Sequence, residues 1–319
     1  MRYFSSFTGA GGFDLAVPKD WECVGFSEID KYANMVLRYR FPDVKNYGDV
    51  NAIKWEEIPN FEVLFGGTPC QDLSLAGKRK GLAGERSGLF YKFVEALKAK
   101  KPEYFIWENV KGALSSNQGW DFAEVLNQFS EAGYSLWWQV LNAKHFSVPQ
   151  NRERIFIVGF RDRSPPEVFF EPSNSAEDNG LQGQPTANTL RAGYSQNLSE
   201  GSYIIESQQH AQEAKPIEQD IHKVAIMNTL TEAVGTRQGS SKEFIHSVIN
   251  IMNTIGKIRR LTPRECERLM SWPDDWLRWG IDEKGNKVEI SDTQRYKMAG
   301  NGVVSNVVKW LIEHVILSD

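Results

Sequence analysis

The sequence predicts an α/β fold, with a mixed, mostly parallel sheet joined by crossover helices and a second, smaller region of irregular, β-rich texture. Two observations carry this prediction. From the start to about residue 160, short apolar runs alternate with amphipathic stretches of helical spacing, the pattern of strands connected through helices. Residues 164 to 256 are instead rich in Ser, Asn, Gln, Gly and Pro and lack long periodic segments, as loops and short strands do.

In chain order, the apolar run RYFSSF is followed by CVGFSEID, a helical KYANMVLRYRF, VLFGG, a helical GLFYKFVEALKAKK and then YFIWENV. A further helix, DFAEVLNQFSEAG, leads into SLWWQVLNA and RIFIVGFR, which are close enough to pair as late strands and make the sheet mixed. Beyond Arg161, NTLRAGYSQNLSEGSYII from Asn188 loosely resembles NTLTEAVGTRQGSSKEFI from Asn228, and IMNT occurs at Ile226 and again at Ile251. Repeated short strands and turns would account for this, as would chance in a polar region.

Helical patterning returns at LTPRECERLMSW, where Thr262 can cap the helix, Pro263 can be its first residue and Glu265 can close a capping box. A last helix, roughly Ser305 to Leu317, carries Val307, Val308, Leu311, Ile312 and Val315 at helical spacing and should pack on the first domain. The resulting division assigns residues 1–163 and 287–319 to the main domain, and 164–286 to the second region with its hinge.

A chain of 319 residues, 41% hydrophobic and 24% charged, can form one large domain or two unequal ones. No apolar stretch approaches the roughly 18 residues of a membrane span, and MRYFSSFTGAGG lacks the layout of a signal peptide. A cytoplasmic location is the expectation. The three cysteines, Cys23, Cys70 and Cys266, have neither zinc nor disulfide spacing, so at least one free thiol and no metal are expected.

The net charge of -4 argues against indiscriminate nucleic-acid binding, which needs clustered cations. Two local clusters remain: Lys78, Arg79, Lys80, Arg86 and Lys92, and Lys257, Arg259, Arg260, Arg264 and Arg268, diluted by Glu85, Glu265 and Glu267. Either alone reads first as a solvated face.

The segment FSSFTGAGGFDLA departs from G-x-G-x-x-G, yet Gly9, Gly11 and Gly12 at a strand-to-helix turn permit close approach to a ligand. Glu28 ends a second apolar run and Asp49 follows in YGDV, so three strand ends would present a glycine turn and two carboxylates along one sheet edge. An adenosine fits such an edge, one carboxylate accepting from ribose hydroxyls and the other from the adenine amino group.

Cys70, in FGGTPCQDLS, follows a buried run and opens a Gly-rich basic loop. A lone cysteine is more often a small core residue than a nucleophile, but the flanking Pro69 and glycines indicate a shaped loop. Glu108-Asn109-Val110 ends another run, and alternation would put Gln150, Arg152 and Arg154 on one face.

With these residues in order, the sequence resembles the bacterial and phage DNA (cytosine-5) methyltransferases over nearly its whole length. The matching segments are FTGAGG, Glu28, Gly48-Asp49, Gly67-Thr68-Pro69-Cys70-Gln71, Glu108-Asn109-Val110, Gln150 to Arg154, Arg260 to Cys266, and Gly300-Asn301-Gly302-Val303. Two departures stand out: Ser271-Trp272-Pro273 replaces a more usual Gly-Phe-Pro, and Gly302-Val303-Val304 replaces a proline-containing ending.

The resemblance implies a Rossmann-like S-adenosylmethionine-dependent methyltransferase domain and a smaller target-recognition domain. It implies that Phe7, Ala10, Gly12, Glu28, Ile29, Asp49, Gly67, Leu89, Asn301 and Val303 line the S-adenosylmethionine pocket, with Glu28 on the ribose and Asp49 on the adenine. It further implies Arg154 on the cytosine O2, Arg152 on a neighbouring phosphate, and a loop from Lys78 to Arg86 that closes over duplex DNA. Gln150, Arg191, Gln196, Arg237, Gln238 and Ser240 to Lys242 are candidates for DNA contact.

The implied chemistry is attack of the Cys70 thiolate on cytosine C6, which makes C5 nucleophilic enough to take a methyl group. Glu108 would donate at N3, protonated during the reaction, and accept from the exocyclic amine. The target base must leave the stack to be reached, as in methyltransferases generally. A monomer carries every part. The alternatives are transfer RNA as substrate, or an inactive DNA-binding relative, the latter disfavoured by the intact Cys70, Glu108 and Arg154 set.

Overall fold

The computed structural model describes residues 1–68, 88–167, 170, 187–188, 203–206 and 257–318. Strands β1 (Arg2–Ser6), β2 (Glu22–Ser27), β3 (Val63–Gly66), β4 (Tyr104–Val110), β5 (Ser135–Asn142) and β7 (Glu153–Phe160) form one sheet in the order β2-β1-β3-β4-β7-β5. The first four strands run parallel, whereas β7 is antiparallel to both β4 and β5. The sheet is thus mixed and mostly parallel, with the two late strands paired.

Alternation along the strands separates two apolar faces. Tyr3, Phe65, Ile106, Phe156 and Val158 share one core, and Phe4, Leu64, Phe105, Trp107, Ile155 and Ile157 share the other. The second face is covered by α2 (Gly88–Lys100) and α3 (Trp120–Glu131). In α2, Phe90, Phe93, Val94 and Leu97 recur at helical spacing and are buried, as a helix lying on a sheet requires. Phe105 and Phe129 pack with ring centroids 4.6 Å apart.

The first face is covered by α1 (Lys31–Arg40), α4 (Pro263–Leu269), α5 (Asp292–Asn301) and α6 (Ser305–Leu311). Asp30 caps α1 by accepting from the Tyr32 and Ala33 amides, and Arg38 and Arg40 lie in its last turn, where cations suit the helix dipole. The capping box of Thr262 and Glu265 forms with Pro263 in the first turn. The final helix continues from α6 as a π-turn over Ile312–Ile316.

Residues from Leu261 onward belong to the same core as Tyr3 and Phe65. The hairpin of β11 (Trp279–Ile281) and β12 (Lys287–Glu289) lies against α1, with Arg38 donating to Ile281 O and Arg40 to Asp275 O and Trp276 O. A boundary at residue 287 therefore cuts through a packed unit. The helix from Pro263 and the segment leading into the hairpin, assigned from sequence to the second region, contribute Cys266, Leu269 and Leu277 to the main core.

Among the described residues of the intervening region, β6 (Gln150–Asn151) pairs with β8 (Ala187–Asn188), and β9 (Tyr203–Glu206) pairs antiparallel with β10 (Lys257–Arg260). The similar stretches from Asn188 and Asn228 lie largely outside the described residues, as does the repeated IMNT. No described helix is long and apolar enough to cross a membrane.

Candidate active site

The chain passes from β1 to β2 on one side and then to β3 on the other, so the sheet has a switch point at β1. Ligands in open α/β sheets bind beyond the strand C-termini at such a point. A cavity of about 510 Å³ opens there, within the usual range for small-molecule sites.

The turn after β1 supplies one wall. Gly9 and Gly11 sit at φ of 58° and 86°, in the left-handed region where a side chain is strained. The amide of Gly9 donates to Glu28 Oε2 at 2.7 Å, while the Ile29 and Asp30 amides donate to Glu28 Oε1 at 2.8 and 2.7 Å. Three of the roughly four acceptor positions of this carboxylate are therefore committed, leaving about one for a ligand hydroxyl. Burial raises the Glu28 carboxyl above its ordinary range, against the three amides that favour its charged form.

Asp49 reaches the cavity without a strand of its own, through a single parallel bridge from Phe26 to Asn46 and a turn held by Ser27 Oγ donating to Gly48 O. Its Oδ1 caps the following turn by accepting from the Asn51 amide. The expected third strand end is thus a loop.

The far wall is built on β4 and β7. Arg154 Nε lies 3.0 Å from Glu108 Oε1, both side chains being less than one-fifth exposed. Glu108 and Val110 share a face of β4, and Val110 is paired with Arg154, so the ion pair is a diagonal cross-strand contact. Gly67 abuts the same carboxylate: a Cβ there would stand 3.0 Å from Glu108 Oε2. Trp107 Nε1 donates to Thr68 Oγ1 at 3.2 Å, which ties β4 to the backbone two residues before Cys70 in sequence.

The cavity thus combines the acceptor carboxylates of Glu28 and Asp49, apolar Phe7, Ala10 and Leu89, and the Glu108–Arg154 carboxylate–guanidinium pair. A family profile described as C-5 cytosine-specific DNA methylase matches residues 1–317.

The chain belongs to that family.

The type II methyltransferase M.Bsp6I of Bacillus sp. (strain RFL6) is 33% identical over all of this chain and 99% of its own length. The orphan methyltransferase M.SPRI of Bacillus phage SPR is 43% identical over 51% of this chain; that match spans 38% of the phage protein. In fold, the chain is similar to the Entamoeba histolytica methyltransferase EhMeth, with a TM-score of 0.65 at 16% identity over 98% of this chain and 97% of that one.

Of the methylase residues expected at the cofactor, Phe7, Ala10, Glu28, Ile29, Asp49, Gly67, Leu89 and Asn301 line the cavity. Gly12 and Val303 are not among its lining residues: a Cβ on Gly12 would meet Trp272 and Val303 at 3.0 Å, and Trp272 Nε1 donates to Val303 O. Sequence reasoning missed Asp30 and Lys297, which also line the cavity and pair at 2.8 Å. They are 267 positions apart, and no local pattern links them. The two acceptor carboxylates, the close-approach turn and the apolar wall suit S-adenosylmethionine.

Gln150, Arg152 and Arg154 do not share one exposed face. The strand breaks at Arg152 between β6 and β7, and Gln150 is fully buried, its amide donating to Leu269 O at 2.7 Å. This corrects the expectation that Gln150 faces DNA: its amide ties the strand to α4. Arg152 is also buried, with Nη1 donating to Gly300 O at 3.3 Å and Nη2 to Gly302 O at 2.7 Å.

In the second basic cluster, Arg264 pairs with Asp275 at 2.5 Å and Arg268 with Asp274 at 2.6 Å. Both cations are therefore already engaged by acids that the sequence clusters did not include. Cys70, Lys78, Arg79, Lys80, Arg86, Arg191, Gln196, Arg237, Gln238 and Ser240 to Lys242 lie outside the described residues. Among those described, Cys23 and Cys266 are free thiols, and no cluster of three or more metal-ligating side chains occurs.

Proposed function

We propose that this protein transfers a methyl group from S-adenosylmethionine to carbon 5 of a flipped-out cytosine in duplex DNA, through a covalent bond between Cys70 and carbon 6. The observation that supports it most is that one cavity is lined both by Glu28 and Asp49 and by the Glu108–Arg154 pair. When bound, S-adenosylmethionine supplies an electrophilic methyl group.

The chain's own groups do the rest. Glu28 and Asp49 accept from the ribose and the adenine. The Cys70 thiolate adds to C6, the electron pair moves to C5, and C5 takes the methyl group; loss of the C5 proton to a base and expulsion of the thiolate then restore the ring. Arg154 donates to the cytosine O2 and a protonated Glu108 donates to N3, where charge accumulates on the ring.

The Lys78 to Arg86 loop and the polar region after residue 164 contact the duplex. The shared core argues for a catalytic unit that resumes near Leu261, leaving about residues 164–260 as the target-recognition domain. The protein acts as a monomer inside the cell.

Labelled S-adenosylmethionine incubated with mixed-sequence duplex DNA, beside Cys70→Ser and a transfer RNA control, tests this reading. Label at cytosine C5 within one short motif, absent from the variant, is the expected result. Label on transfer RNA alone would overturn it.

A further inference from the structure

We infer that Arg152 is a positioning residue for the cofactor rather than a phosphate contact. This rests on the methyltransferase reading above and assigns one of its arginines a different task. A phosphate on the DNA surface needs an accessible cation, whereas Arg152 lines the cavity and is 3% exposed. Its two terminal nitrogens donate to Gly300 O and Gly302 O, the carbonyls on either side of Asn301. All three residues of that turn line the cavity.

The turn brings Gly300, Asn301 and Gly302 to the cavity lining. It ends α5, Gly302 adopts an extended conformation, and Trp272 packs behind it so closely that a Cβ on Gly302 would stand 2.5 Å from the indole. Arg152 fixes the turn from the sheet side, reaching 148 and 150 residues along the chain. A planar guanidinium can span two carbonyls with separate nitrogens, and an ammonium is a single point.

The break between β6 and β7 makes this division of labour possible. Arg154, within β7, meets Glu108 on the base side, while Arg152, at the break, turns towards α5. Two cations two residues apart thus serve the two substrates separately.

Arg152→Lys and Arg152→Met, in the full-length protein, separate the two roles. The affinity for S-adenosylhomocysteine is measured by calorimetry, and the affinity for duplex DNA is measured across a salt series. We expect S-adenosylhomocysteine binding to weaken about tenfold or more in Arg152→Met, consistent with loss of charge-assisted bonds, and less in Arg152→Lys. The KM for S-adenosylmethionine should rise, kcat at saturating cofactor should stay within about threefold, and the salt slope of DNA binding should be unchanged.

A salt slope reduced by about one with S-adenosylhomocysteine affinity intact identifies a phosphate contact and overturns the inference. Loss of kcat that saturating cofactor does not restore, together with a lower melting temperature, indicates a general structural role and overturns it too. Failure of the wild-type protein to bind S-adenosylhomocysteine would instead sink the methyltransferase reading on which the inference rests.

Discussion

Arg154 and Glu108 meet at 3.0 Å across neighbouring antiparallel strands, with Gly67 leaving just enough room for the carboxylate between them. The pair aligns Glu108 before any base arrives. Glu108→Gln and Arg154→Ala should each lower kcat by about 10²–10⁴-fold. As the proposed reaction has both act on one ring, the double variant should lose less than the product of the two. Single-turnover methyl transfer measures this, and fully multiplicative losses would argue that the residues act independently.

Ser271 adopts a φ of 60°, and its hydroxyl is buried without a hydrogen-bond partner among the described residues. The methylase pattern usually has Gly here. A left-handed conformation costs an L-residue about 1–2 kcal/mol, partly offset by the greater freedom of Gly in the unfolded chain. Ser271→Gly should therefore stabilise the protein by about 1 kcal/mol and raise its melting temperature by roughly 2 °C. A scanning calorimetry trace that shifts downward would contradict this.

Asp14 is buried beneath β1, 3.5 Å from Ser5 Oγ. Burial pushes its carboxyl from the ordinary 3.8 up to about 7. The folded state therefore prefers the protonated acid. This contribution is complete below pH 3.8 and is lost as pH rises to about 7, by up to about 1.4 kcal/mol per pH unit or about 4 kcal/mol in all. Asp14→Asn removes that slope, so urea midpoints measured at pH 5 and pH 8 should differ less in the variant than in the wild type. Equal differences would show that Asp14 is ionised in the fold across this range.

Glu267 is fully buried in α4 and receives Arg295 Nη2 at 3.0 Å and the Leu277 amide at 3.1 Å. Removing one charge of a buried pair strands the other. Arg295→Met should cost about 3–5 kcal/mol, and the double change Glu267→Met with Arg295→Met should recover most of it. Guanidinium titration of the three variants checks this; a double variant no more stable than Arg295→Met would mean that the pair is not the main interaction at this site.

Much of the fold was legible because its patterns are local. The helices of α1 and α2 follow from apolar residues three and four apart, and the Thr262 capping box is complete within four residues. Short apolar runs marked β4 and β7 as strands, and the closeness of β5 and β7 in sequence suggested a mixed sheet. The cavity's lining was legible for a related reason: Glu28, Glu108 and Arg154 sit within two residues of strand ends, where a parallel sheet gathers its ligands.

Other features depend on contacts that no short window contains. Gly12 and Val303 look like cofactor residues in sequence, and the fold packs both against Trp272, outside the lining of the cavity. Asp49 reaches the site on a loop, and Arg264 and Arg268 are engaged by Asp275 and Asp274. Periodicity specifies which face of an element is apolar, and the order of residue types identifies the chemistry. Packing decides where each face comes to rest, and so it buried Gln150 against Leu269 and set Arg152 on the Gly300 and Gly302 carbonyls, while Arg154, two residues further on, met Glu108 in the same cavity.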